Sequence, residues 1–334
     1  MILTVVIVNY NGKNCLPKCL SALEANTSCN SFEILVVDSG STDDSWLELT
    51  DRFPHVRVLR YDANIGFCAG SNRGAEAGAG EYVAFVNFDG AVECDWDEAL
   101  IGLLCDESIS VAGGMLVDES GTSVEAIGLG VAPNMSTFGL SEGCSRSRLV
   151  IGQHDVAAVS GALMMLRREA FIEKGGFDEK LWMYGDEIDL CIRMGGRVVA
   201  TTRSVIRHEV GHSAGPAQSP LRIYWSTRNR LINSARHLPF RKLIASVLLA
   251  AFFDLATIVS TRRRTVIRAT FGGWRSGLRE VRFERAVRTS SEKTRAAQNL
   301  VPLKTAIRQF QVVSRLRSEN HEGLQRNKRI TNCQ

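Results

Sequence analysis

The first hundred residues alternate short apolar runs with helical segments, and this order constrains the fold more than any other feature. The apolar runs cover residues 3–8, 33–37, 56–59 and 82–86, and the helical segments cover residues 16–25, 42–53 and 70–77. Strands that are apolar on both faces need cover on both faces, as when helices pack on each side of a parallel sheet. The sequence therefore predicts an α/β fold with a mostly parallel central sheet.

The pattern is weaker between residues 91 and 160, where many glycines interrupt it. We expect one further helix and one strand there, followed by a variable loop region. The pattern then sharpens into a strand over residues 162–166, a helix over 168–174 and a strand over 198–200.

Polar side chains follow five of the apolar runs. Since the carboxyl ends of parallel strands meet at one edge of a sheet, these side chains could surround a single ligand. Each group taken alone also fits a helix cap or a tight turn. The recurrence at successive strands favours a site, made of residues 9–11, 38–43, 64–66, 87–89 and 207–208.

Asn87 and Asp89 stand two residues apart, so at a strand end both side chains leave the same face. Oxygen ligands in this arrangement suit a hard divalent cation, although Asp89-Gly90 is also a common turn pair. His208 could add an imidazole ligand, or it could be a structural hydrogen-bonding residue.

Asp186, Glu187 and Asp189 crowd three carboxylates beside apolar and aromatic residues. Desolvation and mutual repulsion raise the pKa of a carboxyl group, which is how a general base is tuned toward neutral pH. A solvated helix N-terminus is the competing interpretation, because acidic residues are favoured there.

Taken in order, the motifs closely resemble those of the family 2 glycosyltransferases, and within them the rhamnosyltransferase-type branch. The resemblance covers roughly residues 1–235 and is specific because the series keeps the family's order and spacing. The motifs are residues 5–12 (VVIVNYNG), 34–43 (ILVVDSGSTD), 64–67 (NIGF), 70–72 (GSN), 86–89 (VNFD), 160–162 (SGA), 175–178 (GGFD), 184–190 (YGDEIDL) and 206–208 (IRH).

The resemblance implies a GT-A fold over residues 1–235 and inverting transfer of a sugar from a nucleotide-diphosphate donor to a hydroxyl group. By position, Asp38 would accept from the base of the nucleotide, Gly161 would lie near the sugar, and Asp89 and His208 would hold Mg²⁺ or Mn²⁺. The other residues that the resemblance assigns to nucleotide-sugar binding are Asn9, Tyr10, Asn64, Gly66, Asn72, Asn87, Arg228 and Arg230.

Two departures from the branch bear on activity. The branch usually has Glu-Asp where this chain has Asp186-Glu187, so alignment makes Glu187 the catalytic base and Asp186 its competitor. Phe88 and Gly90 replace a usual proline and hydroxyl residue beside the presumed metal ligand. A non-catalytic relative that binds a nucleotide sugar or scaffolds an assembly complex is the alternative function.

The charge is divided unevenly along the chain. The first 260 residues hold 22 basic and 31 acidic residues, whereas the last 74 hold 18 and 5. A basic tail of this kind needs an anionic partner, but no nucleic-acid-binding motif accompanies it. We therefore expect residues 236–334 to form a helical, basic region that faces an anionic membrane surface.

The apolar segment 243–259 is flanked by basic residues and contains Asp254. With seventeen residues it falls short of the roughly 20 needed to cross a bilayer, so we expect it to lie in the membrane interface or to pack on protein, including a second copy of the chain. Nine cysteines without paired spacing favour a reducing cytosol. These features, with the resemblance, predict a cytoplasmic enzyme on the inner face of the cell membrane that acts on a glycan or a polyprenyl-diphosphate-linked acceptor, with dTDP-rhamnose as the expected donor.

Overall fold

A computed structural model describes residues 1–208, 219–284 and 300 of the chain. The first strands are β1 (Leu3–Asn9), β2 (Phe32–Ser39), β3 (Arg57–Tyr61) and β4 (Tyr82–Val86), and the helices between them are α1 (Leu16–Asn26), α2 (Leu47–Arg52) and α3 (Gly66–Ala77). The four strands are parallel and lie in the order β3-β2-β1-β4. The prediction of alternating strands and helices is confirmed for this half.

The helix predicted over residues 42–53 is wrong in its first turn, because α2 begins only at Leu47. The preceding residues form a loop whose side chains bond to the β1 end: Asn9 Nδ2 donates to the hydroxyls of Ser41 and Ser45, and Lys13 N donates to Asp43. Ser41 thus serves the strand ends rather than a helix cap.

The second half of the sheet extends the first. After β5 (Gly90–Val92) and α4 (Trp96–Leu104) come β6 (Ile109–Asp118), β7 (Val124–Ile127), β8 (Leu129–Val131), β9 (Thr137–Gly139), β10 (Gln153–Asp155), β11 (Leu163–Arg167), α5 (Arg168–Glu173), α6 (Asp186–Met194) and β12 (Arg197–His208). The long strands lie in the order β12-β6-β11-β4, and of these only β11 runs against its neighbours. The central sheet is therefore mostly parallel, as predicted.

Two predictions for this half need correction. The region 91–160 contains several short strands besides the expected helix and strand, among them the separate β8-β9 hairpin. The strand predicted over residues 198–200 runs on to His208, since polar residues such as Thr201 and Thr202 hid its continuation and a register shift interrupts its pairing with β6.

Two apolar layers cover the sheet. One, against α1 and α4, includes Ile7, Leu20 and Trp96, and the other, against α3 and α6, includes Val6, Phe85 and Ile188. Val6 and Ile7 are adjacent in β1 and point to opposite faces, which explains why the strand reads as a continuous apolar run. All eight cysteines of the described part of the chain are free, and Cys333 lies outside it.

The chain continues with α7 (Pro220–His237), α8 (Phe240–Thr261) and α9 (Arg264–Glu284). Helix α9 packs closely on α7 because Gly273 faces the helix backbone: a Cβ there would lie 2.7 Å from the carbonyl oxygen of Tyr224. The predicted domain boundary at residue 235 falls inside α7, and the division into two domains stays a prediction. The part of the basic tail beyond α9 lies outside the described residues, apart from Leu300.

Helix α8 is longer than the seventeen-residue segment expected from sequence. It has 22 residues, and an 18-residue window within it has a mean hydropathy of 2.2, so length and composition alone would let it cross a membrane. Its Leu243, Ser246 and Ala250 are buried against the protein. The Asp254 carboxylate accepts from Arg230 of α7 at 2.5 Å and from Trp274 Nε1 of α9 at 2.7 Å.

Candidate active site

The carboxyl ends of three neighbouring strands form the first part of the site. Asn9, Asp38 and Arg60 occupy matching register positions on β1, β2 and β3, so the pairing itself sets them side by side. Asn9 and Asp38 are fully buried, and Asn9 Nδ2 donates to Asp38 Oδ1 at 2.9 Å. Tyr10, the next residue, is 40% exposed at the mouth of this cleft.

Arg60 and Trp46 belong to the same cleft and were missed by the sequence analysis. The Arg60 guanidinium carbon lies 3.8 Å from the centre of the Trp46 ring, and its Nε lies 4.0 Å from Asp38 Oδ2. A cation over an aromatic face is a stable arrangement that leaves the guanidinium edge able to donate. Arg60 could be identified as a site residue only from the register of β3 against β2, which the sequence does not reveal.

Asn64 and Gly66 shape the turn that leads into α3. Asn64 Oδ1 accepts from Ser39 Oγ at 3.1 Å and from Gly66 N at 2.9 Å. Gly66 has φ +82°, and a Cβ there would lie 2.7 Å from the Trp182 ring. The turn is therefore pressed against the loop that precedes α6, which brings two distant motifs of the sequence together.

Asn72 has a different setting from the other predicted residues. It is buried in α3, where its amide donates to the carbonyl of Phe177 at 2.9 Å and accepts from Phe177 N at 2.8 Å. These bonds fix the glycine-rich 175–178 segment to α3. The structure gives Asn72 a structural partner, and its contact with a nucleotide sugar stays a prediction.

Asp89 and His208 lie side by side although 119 positions separate them in the chain. The antiparallel pairing of β5 with β12 sets Gly90 opposite His208 and brings His208 Nε2 within 3.3 Å of Asp89 Oδ1. On its other side, His208 Nδ1 lies 3.1 Å from Glu125 Oε2. Glu125 comes from β7, a strand that the sequence did not predict, so nothing pointed to it.

The donor set here fits a divalent cation. Asp89 is 6% exposed and its Oδ1 lies 3.3 Å from His208 Nε2, so a carboxylate oxygen and an imidazole nitrogen stand together where a cation could bind both once it displaces the imidazole proton. Glu125 would orient the imidazole, as partners of metal-bound histidines usually do. Burial lowers the pKa of His208, but its bonds to Asp89 and Glu125 outweigh this and raise the pKa to about 9.

Two protein ligands leave the rest of a coordination shell to water and to substrate. No cluster of three or more His, Cys, Asp and Glu side chains that could hold a metal occurs in residues 1–208 or 219–284. That count suits an ion shared with phosphate oxygens rather than a closed structural site. Asn87 stands two residues before Asp89 and is half-buried. Its role in ligand binding stays a prediction.

The third part of the site is the loop 182–185, which leads into α6. Trp182, Tyr184 and Gly185 all have positive φ values, of 61°, 66° and 78°. Asn229 of α7 secures this strained turn, because its Nδ2 lies 2.6 to 2.9 Å from the carbonyl oxygens of residues 181, 183 and 184. Asn233 adds a bond to Gly185 O at 2.7 Å.

The two candidate bases at the start of α6 have different surroundings. Asp186 is 2% exposed and its Oδ2 has no hydrogen bond to a described residue. Glu187 is half-buried, its Oε2 accepts from Gly185 N at 3.0 Å, and a Cβ on Gly161 would lie 3.8 Å from its Cγ. Glu187 therefore borders Gly161, the residue expected near the sugar, while Asp186 points into the protein.

Burial raises the pKa of both carboxyl groups. For Asp186 burial and the neighbouring Glu187 charge raise the pKa well above its ordinary value. For Glu187 the rise is smaller, since backbone N–H groups and the Arg222 charge counteract it. Burial raises the pKa of Tyr184, Arg222 lowers it, and the charges of Glu187, Asp186 and Asp89 raise it further, so Tyr184 lies near both candidate bases and the Asp89 carboxylate.

Asp189, the third carboxylate of the cluster, is structural. It is fully buried and contacts two guanidinium groups and an imidazole: Arg193 Nε at 2.6 Å, Arg236 at 3.3 Å and His237 Nε2 at 2.9 Å. Burial raises its pKa, but these partners outweigh burial and hold the pKa far below its ordinary value. The cluster ties α6 to α7.

Arg228 and Arg230 lie in a buried network among the C-terminal helices. Arg228 donates to the carbonyl of Lys180 at 2.8 Å and to Ser276 of α9 at 3.2 Å, and Arg230 pairs with Asp254. Both guanidinium groups therefore have protein partners. Their predicted contact with phosphates stays a prediction.

The chain belongs to glycosyl transferase family 2, whose family model matches residues 4–174. It is similar to N-acetylglucosaminyl-diphospho-decaprenol L-rhamnosyltransferase of Mycobacterium tuberculosis, with 28% identity over 247 residues that cover 64% of this chain and 78% of the relative. It is also similar to the O-antigen biosynthesis protein RfbC of Myxococcus xanthus, with 28% identity over 66% of this chain and 18% of the relative.

Solved structures share the fold at lower identity. TarS 1-349 of S. aureus in complex with UDP-GlcNAc has a TM-score of 0.55 at 16% identity and covers 90% of this chain and 93% of that one. The mannosyltransferase PcManGT from Pyrobaculum calidifontis, in complex with GDP-Man and Mn²⁺, has a TM-score of 0.52 at 14% identity, covering 85% and 87%. The chain is thus a family 2 glycosyltransferase with the GT-A fold, which confirms the predicted family, fold and enzyme class.

Proposed function

We propose that the protein is an inverting, metal-dependent glycosyltransferase that moves rhamnose from dTDP-rhamnose to a hydroxyl of a lipid-linked glycan in the synthesis of a cell-surface polysaccharide. The observation that carries the proposal is the convergence of three groups at one edge of the sheet. They are the Asn9-Asp38 cleft, the Asp89-His208 pair and Glu187. Similarity to the mycobacterial rhamnosyltransferases supports the choice of sugar and acceptor.

Each group has a separate task in this reaction. Asp38 accepts from the nucleobase at the buried end of the cleft, and Tyr10 covers its mouth. Asp89 and His208 would hold Mg²⁺ or Mn²⁺, which neutralises the charge that develops on a diphosphate leaving group. Glu187 accepts the proton of the attacking hydroxyl, and single displacement with inversion needs only this one base.

The test is transfer of rhamnose from dTDP-rhamnose, in the presence of Mn²⁺, to N-acetylglucosamine linked through diphosphate to a short alkyl chain. Asp89→Asn and His208→Ala should each lower turnover at least 100-fold, since a shared cation then loses a protein ligand. Undiminished turnover after chelation with EDTA would refute the metal-dependent mechanism.

A non-catalytic relative makes the opposite prediction in a simpler assay. Mn²⁺-dependent hydrolysis of nucleotide sugars in the absence of an acceptor would show a catalytic site. If a panel of nucleotide sugars raises the melting temperature but none is hydrolysed or transferred, the binding function is correct and the enzymatic proposal is wrong.

We also propose that the protein attaches peripherally to the cytoplasmic face of the membrane through α8. Six large apolar side chains form a stripe along its outer side, each 46 to 67% exposed. They recur every three or four residues, so they lie on one face of the helix. We call this set the α8 stripe: Phe240, Ile244, Leu248, Phe252, Leu255 and Val259.

The geometry of α8 favours a helix lying on the surface of the bilayer over one that crosses it. Its opposite face is buried in the protein, where Asp254 pairs with Arg230 and Trp274. Basic residues flank the helix at 241–242 and 262–264, where they could meet anionic headgroups. Dimerisation through the α8 stripe is the other outcome that a test must separate.

Flotation with vesicles of anionic phospholipid tests this attachment. The double variant Leu248→Glu/Phe252→Glu should lose vesicle binding, whereas Val150→Glu/Ile151→Glu, which changes an even more exposed apolar pair elsewhere, should retain it. Unchanged flotation of the α8 variant, or a wild-type dimer that the same variant dissociates, would contradict peripheral attachment.

A further inference from the structure

Helix α7 presents one of its faces to the loop that carries the base. Arg222, Trp225, Asn229 and Asn233 recur at intervals of three to four residues, so they share this face. Asn229 and Asn233 hold the loop backbone, and Trp225 stacks on Trp182 with ring centres 5.8 Å apart and planes within 5°. The fourth residue of the face, Arg222, has no comparable structural task.

The Arg222 guanidinium lies beside the base. It sits 5.3 Å from the centre of the Tyr184 ring, and its positive charge lowers the pKa of both Tyr184 and Glu187. Within the described residues its guanidinium makes no ion pair and donates no hydrogen bond, and its backbone N–H donates to Ser219 Oγ at 3.3 Å. A half-buried guanidinium normally has acceptors for its five N–H groups.

The other arginines of α7 differ from Arg222 because each has an acidic partner in the protein. Arg228 lies 3.9 Å from Glu280, Arg230 pairs with Asp254 at 2.5 Å, and Arg236 pairs with Asp178 at 2.5 Å. Each of them bonds to the protein and is used to join elements. Arg222, at the first turn of the same helix, instead directs its charge to the neighbourhood of Glu187.

We propose that Arg222, supported by the Tyr184 ring, binds a phosphate group of the acceptor next to Glu187. This inference rests on the proposed function, because it takes Glu187 as the base and thus places the acceptor hydroxyl beside it. The donor diphosphate is assigned to Asp89 and His208, where a metal ion would balance its charge. A guanidinium beside the base is therefore suited to the second anion in the reaction, a phosphate that links the acceptor sugar to its lipid.

The experiment compares two acceptors that differ only in this anion. One is N-acetylglucosamine linked through diphosphate to a ten-carbon alkyl chain, and the other is the decyl glycoside of the same sugar. Arg222→Gln should lower kcat/KM for the diphosphate acceptor about 10- to 100-fold more than for the glycoside, the range expected when a charge-assisted hydrogen bond is removed. Arg222→Lys keeps the positive charge but loses the paired N–H donors of the guanidinium. Its kcat/KM for the diphosphate acceptor should therefore fall between the values of Arg222→Gln and wild type.

Arg148→Gln removes an exposed arginine elsewhere on the surface and should leave the ratio of the two kcat/KM values unchanged. If Arg222→Gln lowers kcat/KM equally for both acceptors, the proposal is overturned. It is also overturned if the variant only raises the KM for the nucleotide sugar, because Arg222 would then bind the donor. If wild-type protein transfers sugar to neither acceptor, the proposed function itself fails. By contrast, an active Arg222→Gln enzyme with the wild-type ratio of the two kcat/KM values would overturn the proposal about Arg222 and leave the proposed function intact.

Discussion

Replacement of Glu187 by Gln tests which carboxylate is the base. Gln keeps the size of the side chain and can still accept from Gly185 N, the bond that positions Glu187 at 3.0 Å, so the start of α6 should keep its geometry. What the variant loses is the ability to take a proton. A positioned general base contributes about 10²- to 10⁴-fold, equivalent to about 3 to 5 kcal/mol in the activation free energy.

Asp186→Asn is the matched control. Asp186 is buried away from Gly161, and the rise in its pKa favours the neutral carboxyl, which Asn resembles in shape and polarity. We expect its turnover to fall less than about tenfold, far below the effect of a lost base. Both variants should retain donor binding, measured as thermal stabilisation by dTDP, because neither residue lies in the Asn9-Asp38 cleft.

The pH profile of turnover adds an independent readout. The base acts deprotonated and its pKa is raised, so wild-type activity should rise with pH through a pKa above the ordinary value for Glu, and Glu187→Gln should lose this rising limb. The reasoning is refuted if Glu187→Gln keeps near-normal turnover, or if Asp186→Asn is the inactive variant while it remains folded and binds dTDP.

Three further substitutions test the packing that supports the site, with unfolding by heat or urea as the measurement. Asn229→Ala removes buried bonds to three carbonyl groups and should lower the free energy of unfolding by about 2 to 4 kcal/mol. A loss below about 1 kcal/mol would show that the 182–185 loop keeps its conformation without Asn229. Asp254→Ala leaves Arg230 buried and should cost about 3 to 5 kcal/mol, more than Asp254→Asn, and equal costs would contradict a charged pair. Gly66→Ala combines a φ of +82° with a clash against Trp182 and should cost about 1 to 3 kcal/mol, whereas Gly102→Ala, which meets nothing within 4 Å, should cost little.

The sequence predicts the parts of the fold in which local and global preferences agree. Short apolar runs of branched residues such as that of β1 favour buried strands, and the polar residues after parallel strands then meet at one edge, as Asn9 and Asp38 do. Residues that depend on register are not predictable in this way. Arg60 reaches Asp38 through the pairing of β3 with β2, and Glu125 reaches His208 through the short strand β7.

The same limit applies to the C-terminal region. In sequence Asp254 is a charge within an apolar segment of seventeen residues, which is itself shorter than the roughly 20 residues needed to span a membrane. Its partners, Arg230 and Trp274, lie 24 positions before it and 20 after it, and helix packing alone brings them together. Because this acid is paired on the protein side, the large exposed side chains of α8 from Ile244 to Val259 are all apolar, a property that no count along the chain reveals.

Helix α7 joins the C-terminal helices to the candidate active site. Through Asn229 and Asn233 it fixes the strained loop from which Glu187 emerges, through Asp189 it is tied to α6, and through Arg230 it is tied to α8. These contacts would hold Glu187, the proposed base, at a set distance from the α8 stripe. If α8 rests on a membrane, the base is held at a fixed height above the lipid headgroups, which is the geometry required to receive an acceptor sugar through a phosphate linkage at the bilayer surface.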